Sequence, residues 1–379
     1  MPDSPPAAST PSPSRVFDTA TGPEVGIDGR RYLHFGGTGY LDLQRRPELA
    51  DAAERALRRY GLHPATTRLG FGESPPLLEA EAEAARFFGT EAAWLLPSGW
   101  LGASVLLDAH AGPADRLYLD QDAHFALRDA ARLSGRPVVT FGHADPASLQ
   151  SELRATLRAG EQPVVLTDGV FPVTGHLAPL ADYLRILDGF PGARVVVDDA
   201  HGFGVLGPHG RGTSELLSPP ADRRLLVTGT ASKALGGYGG LLTGSTEFIQ
   251  RLHSASPWFA GSTPLPTPVA AATAAALRLA REEPVLRVRL ADNIRQLRHG
   301  LRAVGLPVED LPSPMIPVVL GTGAAMQRLH EALRADGILV PYLPRYAGLG
   351  PHGALRLAVF ATHEPAHFEQ LFAALRRHL

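Results

Sequence analysis

Lysine occurs once in this chain, as Lys233, and the other 35 of its 36 basic residues are arginine. A lysine amine can lose its proton and attack a carbonyl, which the permanently charged guanidinium of arginine does not do. Lys233 lies in a loop rich in glycine and hydroxyl groups, TGTASKALGG (228–237), directly after the apolar run Leu225–Val227. A solvated surface lysine is the simpler alternative, but the chain uses arginine everywhere else for that purpose. Lys233 is therefore the first candidate for covalent chemistry.

A carboxylate and an imidazole follow another apolar run, Val195–Val197. Asp198 and His201 are three residues apart, so both side chains could face one planar ligand. Aspartate and glycine also favour turns, and a plain turn explains this segment equally well when it is taken alone.

Two more loops carry residues suited to a ligand. Ser98, Gly99 and Trp100 follow a strand-like run and precede a helical stretch. Glycine at a helix N-terminus lets backbone N–H groups approach an anion, which the helix dipole favours. His124 follows another run and could stack on an aromatic ring. Taken singly, a helix cap and an ordinary loop histidine explain these two loops.

Together these groups form a carboxylate, an imidazole, a lysine and a phosphate cradle, each at the end of a strand-like run. This set matches pyridoxal 5′-phosphate (PLP). A carboxylate keeps the pyridine nitrogen protonated so that the ring can accept electrons, and a histidine can hydrogen-bond the ring oxygen. The lysine can hold the aldehyde as an imine and move protons.

Seven short apolar runs, several of them β-branched, have the composition of buried parallel strands. They are Trp94–Leu96, Leu117–Leu119, Val138–Phe141, Val164–Leu166, Val195–Val197, Leu225–Val227 and Leu241–Thr243. Helical patterns such as Leu78–Phe88 and Ala147–Leu157 fall between many of them. The sequence therefore predicts an α/β fold, a mostly parallel seven-stranded sheet with helices on both faces. Ligands of such sheets bind at the carboxyl ends of the strands.

The pattern changes after about residue 268 and predicts a smaller α+β C-terminal domain. Its predicted elements are the helices Val269–Arg281, Val285–Val304 and Ala324–Asp336, the strands Met315–Leu320, Ile338–Val340 and Leu355–Phe360, and a final helix with Thr362 as N-cap and Pro365 in its first turn. The predicted organisation is a disordered Pro- and Ser-rich tail (1–14), a segment that packs with the small domain (15–48), a large PLP-binding domain (49–284) and the small domain (285–379).

Composition and charge exclude several classes of protein. A net charge of −2 gives no basic field for nucleic acid. The sequence has no apolar run of about 18 residues to predict a membrane span, and its N-terminus lacks the pattern of a signal peptide. The absence of cysteine removes disulfides and thiolate sites, which fits a reducing cytoplasm.

Two long segments resemble the α-oxoamine synthases, PLP enzymes of fold type I within the aminotransferase superfamily. VVVDDAHGFGVLGPHGRG (195–212) is similar to their D-D-A-H-G-x-G-V-x-G-x-x-G-R-G, and TGTASKALGG (228–237) to their T-G-T-x-x-K-A-L-G-G. Weaker echoes include YLDLQRRP (40–47), TDGVFPVTGHLAPL (167–180) and LRLAVFATH (355–363). The family includes 8-amino-7-oxononanoate synthase and glycine C-acetyltransferase, and it joins an amino acid to an acyl-CoA with loss of carbon dioxide.

The resemblance implies roles by matching position. Lys233 holds the cofactor aldehyde and is the proton-transfer base, Asp198 pairs with the pyridine nitrogen, His201 with the ring oxygen, and His124 stacks on the ring. The remaining matched residues are the phosphate contacts Ser98, Gly99, Trp100 and Thr230, the partner-subunit phosphate contacts Ser262 and Thr263, and the substrate-carboxylate residues Arg356 and Thr38. A homodimer with a shared active site is therefore implied, and no metal is expected.

The chain departs from the family pattern on the substrate side. Thr38 stands where the family usually has an asparagine that contacts the carboxylate, and Pro172 where it usually has serine. Ala103 and His176 replace a common asparagine and a common aspartate. The amino-acid substrate is therefore left open.

Other activities fit the sequence less well. GFGVLG (202–207) satisfies the dinucleotide fingerprint G-x-G-x-x-G, but Asp-Asp-Ala-His separates it from the strand. A Ser-x-x-Lys hydrolase needs serine at position 230, which is threonine, and no His-Glu-x-x-His zinc motif occurs. A degenerate, non-catalytic subunit would be expected to lose Lys233. A PLP aminotransferase on the same fold remains the alternative.

Overall fold

The computed structural model describes residues 16–69, 72–112, 114–217 and 222–379. The tail predicted at 1–14 lies outside these residues. The strands are β1 (Glu24–Ile27), β2 (Arg30–His34), β3 (Ala92–Leu96), β4 (Arg116–Asp120), β5 (Val138–Phe141), β6 (Pro163–Asp168), β7 (Arg194–Asp198), β8 (Leu225–Thr230), β9 (Gly240–Gly244), β10 (Met315–Val318), β11 (Ile338–Leu339), β12 (Tyr342–Leu343) and β13 (Ala354–Ala358).

The helices that separate these strands are α1 (Pro47–Tyr60), α2 (Pro75–Phe88), α3 (Gly102–His110), α4 (Phe125–Leu133), α5 (Pro146–Thr156), α6 (Leu180–Ile186), α7 (Thr213–Leu217), α8 (Thr246–Ala255), α9 (Pro257–Gly261), α10 (Thr267–Glu282), α11 (Val285–Ala303), α12 (Gly323–Ala335) and α13 (Pro365–His378). In the part of the chain that the structure describes, no helix is both long enough and apolar enough to cross a bilayer.

All seven predicted runs are strands of one sheet, in the order β3-β9-β8-β7-β6-β4-β5. Five strands, β8, β7, β6, β4 and β5, run parallel to one another. The strand β9 is antiparallel to both β8 and β3. The prediction of a mostly parallel seven-stranded sheet is therefore confirmed.

The central strands are apolar throughout because helices cover both faces of the sheet. On one face Leu166 and Val196 pack with the side chains of α3, α4 and α8. On the other face Val165, Val195 and Val197 pack with α5 and α6. Alternate residues of one strand therefore enter two different cores, which holds the carboxyl ends of the strands in fixed register.

Two small sheets form the second layer of the molecule. One has the order β1-β2-β11, and the other has the order β10-β13-β12. β2 pairs in parallel with β11, with Leu33 opposite Ile338. The N-terminal segment thus contributes strands to a sheet whose other member lies near the end of the chain.

The predicted N-cap of the last helix is wrong. Glu364, and not Thr362, caps α13, in a capping box with His367, while Pro365 does occupy the first turn. The Thr362 hydroxyl donates instead to Oδ2 of Asp42, at 2.7 Å. Asp42 is a nearly buried carboxylate on the N-terminal segment, so a tertiary contact takes the hydroxyl that the local pattern assigned to the helix.

Candidate active site

Polar residues end four neighbouring strands of the large sheet at one edge. Asp120, Asp168, Asp198 and Thr230 are the last residues of β4, β6, β7 and β8. The register of β6 and β7 places Asp168 directly beside Asp198. This edge is where the sequence predicted a ligand.

The Lys233 loop is held against the N-terminal segment by a glycine in a left-handed conformation. Gly236 has φ of +68°, and a Cβ there would lie 2.5 Å from Cβ of Leu43. A larger residue would therefore push the loop away, so this close approach requires glycine. The contact brings the 38–44 segment beside the lysine.

Lys233 Nζ lies 3.0 Å from Nε2 of His201. The pKa of Lys233 is below its ordinary value because burial disfavours the ammonium, although the carboxylate of Asp198 opposes this shift. A lowered pKa increases the fraction of neutral amine, which is the form that attacks a carbonyl or accepts a proton.

The tautomer of His201 follows from its neighbours. Arg356 Nη2 donates to the Tyr40 hydroxyl at 3.3 Å, and that hydroxyl lies 2.8 Å from Nδ1 of His201. Arginine can only donate, so Tyr40 accepts from it. Nδ1 is then the one acceptor among the described residues for the buried phenol proton, and Tyr40 donates to it. The pKa of His201 is well below its ordinary value, through burial first and then the positive charge of Lys233. The neutral ring therefore carries its proton on Nε2, toward Lys233.

Arg356 is nearly buried and keeps part of its donor capacity free. Its Nε donates to the Pro172 carbonyl at 2.8 Å, Nη1 to the Gly37 carbonyl at 3.3 Å, and Nη2 to Tyr40. A guanidinium has five N–H donors. Among the described residues, three of them have partners, which leaves one donor on each terminal nitrogen. Two such donors can bind a carboxylate in bidentate fashion.

Asp198 is buried with one carboxylate oxygen available. Its Oδ1 accepts from the Ala200 amide at 3.1 Å, while no hydrogen bond joins Oδ2 to any residue that the structure describes. The pKa of neighbouring Asp168 is well above its ordinary value because burial and the charge of Asp198 both disfavour its ionisation. The two side chains are therefore not equivalent: Asp198 can take a new N–H donor, and Asp168 tends to stay protonated.

His124 is a neutral, oriented ring at the start of α4. Its Nδ1 accepts from the Ala126 amide at 3.2 Å, and its own amide donates to Oδ2 of Asp168 at 2.7 Å. Burial lowers its pKa. The Trp100 indole packs against it edge-on, with ring centroids 5.5 Å apart. The flat face of an uncharged imidazole is thus presented at the carboxyl edge of the sheet.

The predicted phosphate-side residues meet at the ends of β8 and β9. A Cβ on Gly99 would lie 3.0 Å from Cβ of Thr230, and one on Gly240 would lie 2.6 Å from the Ser98 carbonyl. The Thr230 hydroxyl is 2.6 Å from that of Ser232. The close approach, which requires glycine, gathers hydroxyls and backbone N–H groups in one place.

These residues fit PLP. The donor set includes a buried carboxylate with a free oxygen, a lysine with a lowered pKa, an imidazole that carries its proton toward that lysine, and a hydroxyl cluster. Asp198, His201, Lys233 and Thr230 would hold the pyridine nitrogen, the ring oxygen, the aldehyde and the phosphate. PLP would supply an electron sink for a carbanion at the substrate α-carbon.

Thr38 lies in a cavity that Lys233 also lines. Ser262 and Thr263 lie elsewhere, just after α9: the Ser262 hydroxyl donates to the Trp258 carbonyl, and Thr263 is exposed. No hydrogen bond joins either residue to the Lys233 cluster within the described chain. A role for them at the phosphate would therefore have to come from another subunit.

The family departures have different structural consequences. The Pro172 carbonyl accepts from Arg356 Nε, so the residue that cannot donate a hydrogen bond still helps to position the arginine. Nδ1 of His176 lies 3.1 Å from Nε2 of His143, which in turn contacts Asp120. Ala103 is buried in the packing of α3.

Sequence reasoning missed three residues of the site: Tyr40, Asp168 and Tyr346. Burial raises the pKa of Tyr346. Its ring packs against that of Phe125, the residue after His124, with ring centroids 5.6 Å apart. Asp168 had a usable signal, since it ends a strand-like run as Asp198 does. Tyr40 and Tyr346 lie in segments without such a pattern.

Comparison with known proteins identifies the family of the chain. The family model described as aminotransferase class I and II matches residues 31–375. The chain is 35% identical over 362 residues to 8-amino-7-oxononanoate synthase of Methylococcus capsulatus, over 95% of this chain and 92% of that protein. It is 34% identical over 362 residues to the enzyme of the same name from Cellvibrio japonicus, over 95% and 90% of the two chains.

A solved structure of similar shape is serine palmitoyltransferase from S. paucimobilis with bound PLP and myriocin. It is 25% identical, with a TM-score of 0.88, over 96% of this chain and 92% of that chain. The likeness therefore extends over both the large sheet and the two small ones.

Proposed function

The chain belongs to the aminotransferase class I and II family and, within it, to the α-oxoamine synthases, and on that premise we propose that it condenses an amino acid with an acyl thioester. In the balanced reaction a new carbon–carbon bond forms between the α-carbon and the acyl carbonyl. The thioester C–S bond breaks, its sulfur takes up one proton from solvent to leave as the thiol, and the amino-acid carboxylate leaves as carbon dioxide. The product is an α-amino ketone.

One observation carries this proposal: a continuous hydrogen-bonded series runs from Arg356 through Tyr40 and His201 to Lys233. It joins a group that can bind a carboxylate to a group that can bind an aldehyde and move a proton. One amino acid can therefore place its carboxylate at Arg356 and its α-carbon near Lys233. The buried side chains of Tyr40 and His201 fix the spacing between these two residues.

Arg356 binds and orients the amino-acid carboxylate in this proposal. Its two remaining N–H donors bind the substrate carboxylate. The carbonyls of Pro172 and Gly37 accept from the other side of the guanidinium and hold it in one orientation. A fixed guanidinium loses little entropy on binding, so it can hold the α-carbon in one orientation near Lys233.

Lys233 removes and returns the proton at the α-carbon. The task needs a neutral amine, which burial of this lysine favours. When bound, PLP supplies the electron sink that makes this proton acidic, and Asp198 keeps the pyridine nitrogen protonated for that purpose. His124 presents a neutral face to the cofactor ring and an Nε2 proton that can assist at the acyl carbonyl oxygen.

We also propose that the enzyme is a homodimer and that Ser262 and Thr263 reach the phosphate of the partner's site. The exposed position of Thr263 and its separation from the Lys233 cluster support this arrangement. Mixing a Lys233→Ala variant with a Ser262→Ala, Thr263→Ala double variant should give more activity than either alone. No gain in subunits shown to exchange would contradict the shared site.

Titration of the PLP-loaded protein tests the function directly. We expect an amino acid alone to change the visible absorbance without bleaching it. Free thiol and carbon dioxide should appear only when an acyl-CoA is added. If an amino acid alone bleaches the yellow colour and a keto acid restores it, the protein is an aminotransferase. A protein that binds no PLP would overturn the cofactor assignment.

A further inference from the structure

Two histidines to which the proposed reaction assigns no role form a bridge between two carboxylates. His143 Nδ1 lies 3.3 Å from Oδ1 of Asp120, and His143 Nε2 lies 3.1 Å from Nδ1 of His176. On the far side, His176 Nε2 lies 3.3 Å from Oε1 of Glu309. The bridge therefore runs from the carboxyl end of β4 to the surface, where the Glu309 side chain is 67% exposed.

The three contacts of this bridge require three protons. An ionised carboxylate only accepts hydrogen bonds, so the ring nitrogens that face Asp120 and Glu309 must both carry protons. A third proton is needed between the two rings. Two neutral imidazoles carry only two protons, and a fourth proton would place two N–H groups face to face. The bridge is therefore complete only when His143 and His176 share one positive charge.

Neighbouring carboxylates favour this extra proton. Burial alone would lower the pKa of His143, but the hydrogen bond to Asp120 and the charges of Asp120 and Asp122 outweigh it, so the pKa lies above its ordinary value. Asp122 Oδ2 is 3.6 Å from His143 Nδ1. Glu309 supplies a third negative charge at the other end of the pair.

Other charged groups near the bridge have different partners. Asp145 follows His143 on the same segment, but its carboxylate accepts from the first amides of α5. Arg298 donates to the backbone carbonyl of Glu309 and not to its carboxylate. In the part of the chain that the structure describes, the charges that contact the pair are therefore the three carboxylates.

The bridge braces the turn whose Pro172 carbonyl holds Arg356. This turn begins at Phe171 and ends at His176, and the His176 carbonyl accepts from the Phe171 amide at 2.9 Å. Between them, the Pro172 carbonyl accepts from Arg356 Nε at 2.8 Å. The His143 ring packs edge-on against that of Phe171, with centroids 4.3 Å apart. The two histidines therefore contact the turn at both of its ends.

We propose that His143 and His176 are positioning residues, and that the proton they share keeps Pro172 in place against Arg356. The inference rests on the role of Arg356 in the proposed function. Loss of the shared proton breaks one contact of the bridge, so the turn is held less firmly and the arginine binds the amino-acid carboxylate less tightly. His176 stands where the family commonly has an aspartate, so the bridge belongs to this chain's departure from the family pattern.

Binding of the amino acid gives the first test. Absorbance titration of the PLP-loaded protein with each of the common amino acids identifies the one that binds most tightly. The ratio of its Kd in the natural protein to its Kd in His176→Asn should rise at least ~3-fold from about pH 6 to about pH 9. Asparagine can donate to His143 or accept from it, so the variant needs no shared proton. His209→Asn, which removes an imidazole 2.7 Å from Glu215, is the matched control and should follow the natural protein at every pH.

A second measurement needs neither substrate nor turnover. In NMR spectra of protein with isotope-labelled histidine, the two ring signals are assigned by their loss in His143→Asn and His176→Asn. Both signals should titrate with one common midpoint, because the rings share one proton. Glu309→Gln removes a negative charge that stabilises this proton, so the midpoint should move to lower pH. Glu309 is exposed, so this variant tests the bridge without disturbing the core.

The outcomes separate the inference from the proposed function. Rings that titrate independently, or a Kd ratio that stays constant with pH, would overturn the inference while amino-acid binding and the proposed function stand. If none of the common amino acids binds although the two rings still titrate together, the proposed function is wrong, and with it the role of Arg356 on which the inference rests.

Discussion

The two walls of the active site follow the family pattern to different degrees. The cofactor wall, which we define as Asp198, His201, Lys233 and His124, has every residue type that the family pattern requires. The substrate wall, defined as Thr38, Pro172 and Arg356, keeps the arginine but differs from that pattern at Thr38 and Pro172. In the proposed function, the first wall serves chemistry that belongs to the cofactor, and the second faces groups that differ between substrates. The difference therefore indicates a retained reaction type with altered substrate selection.

The largest expected effect is at Lys233. Lys233→Ala should lower turnover by about 10⁴-fold or more, because it removes both the aldehyde-binding amine and the base. Lys233→Arg is the matched control: it keeps a positive charge but provides no neutral amine. Steady-state thiol release should be abolished in both variants. Near-normal turnover in either variant would show that Lys233 is neither the aldehyde-binding amine nor the base.

The paired carboxylates give the next test. Asp198→Asn should lower kcat by about 10²- to 10³-fold, since a charged partner of the pyridine nitrogen is lost. Asp168→Asn should change kcat by less than about 3-fold, because the raised pKa of Asp168 already favours its neutral form. If the two variants lose activity equally, the distinction drawn between these neighbours is wrong.

On the substrate wall, Arg356→Lys should raise KM for the amino acid by about 10- to 100-fold with a smaller change in kcat, because bidentate binding is lost. Thr38→Asn restores the residue usual in the family and should lower that KM by about 2- to 10-fold. A Thr38→Asn enzyme with a higher KM would show that threonine is itself fitted to the substrate.

Tyr40 connects the two walls as a positioning residue. Tyr40→Phe should lower kcat by about 10-fold, since one hydrogen bond to His201 is lost and its tautomer is no longer fixed. The pH midpoint of the visible absorbance band should move as well. Tyr118→Phe, which removes a hydroxyl that contacts Thr156, is the control. An unchanged midpoint in Tyr40→Phe would leave Tyr40 a packing role only.

The last test concerns stability, not activity, and involves Asp199, the residue after Asp198. Burial raises its pKa to about 7. A group whose pKa is raised by folding stabilises the protein below its unfolded pKa and loses that contribution as pH rises through about 7. The full contribution is on the order of 4 kcal/mol.

Asn at position 199 mimics the protonated carboxyl and does not ionise. The difference in Tm between Asp199→Asn and the natural protein should therefore shift by a few degrees in favour of the variant from pH 5 to pH 8. Asp51→Asn, at an exposed position of α1, should show no such trend. A constant difference in Tm across this range would mean that Asp199 is ionised in the folded protein.

The large sheet could be predicted because its strands are buried on both faces and therefore read as continuous apolar runs. β1 and β2 gave no such signal, since their first residues, Glu24 and Arg30, are exposed. β12 has only two residues. Short strands in small sheets are fixed by their tertiary partners, as β2 is by β11.

The sequence by itself determined which chemical groups are available, because a single lysine and the strand-end motifs restrict the choice of cofactor. Only the tertiary structure decided how those groups are connected. Tyr40 and His201 are 161 residues apart in the chain, and Arg356 and Pro172 are 184 apart. Local patterns encode neighbours along a strand or helix, whereas hydrogen bonds across such separations exist only when separate elements pack together.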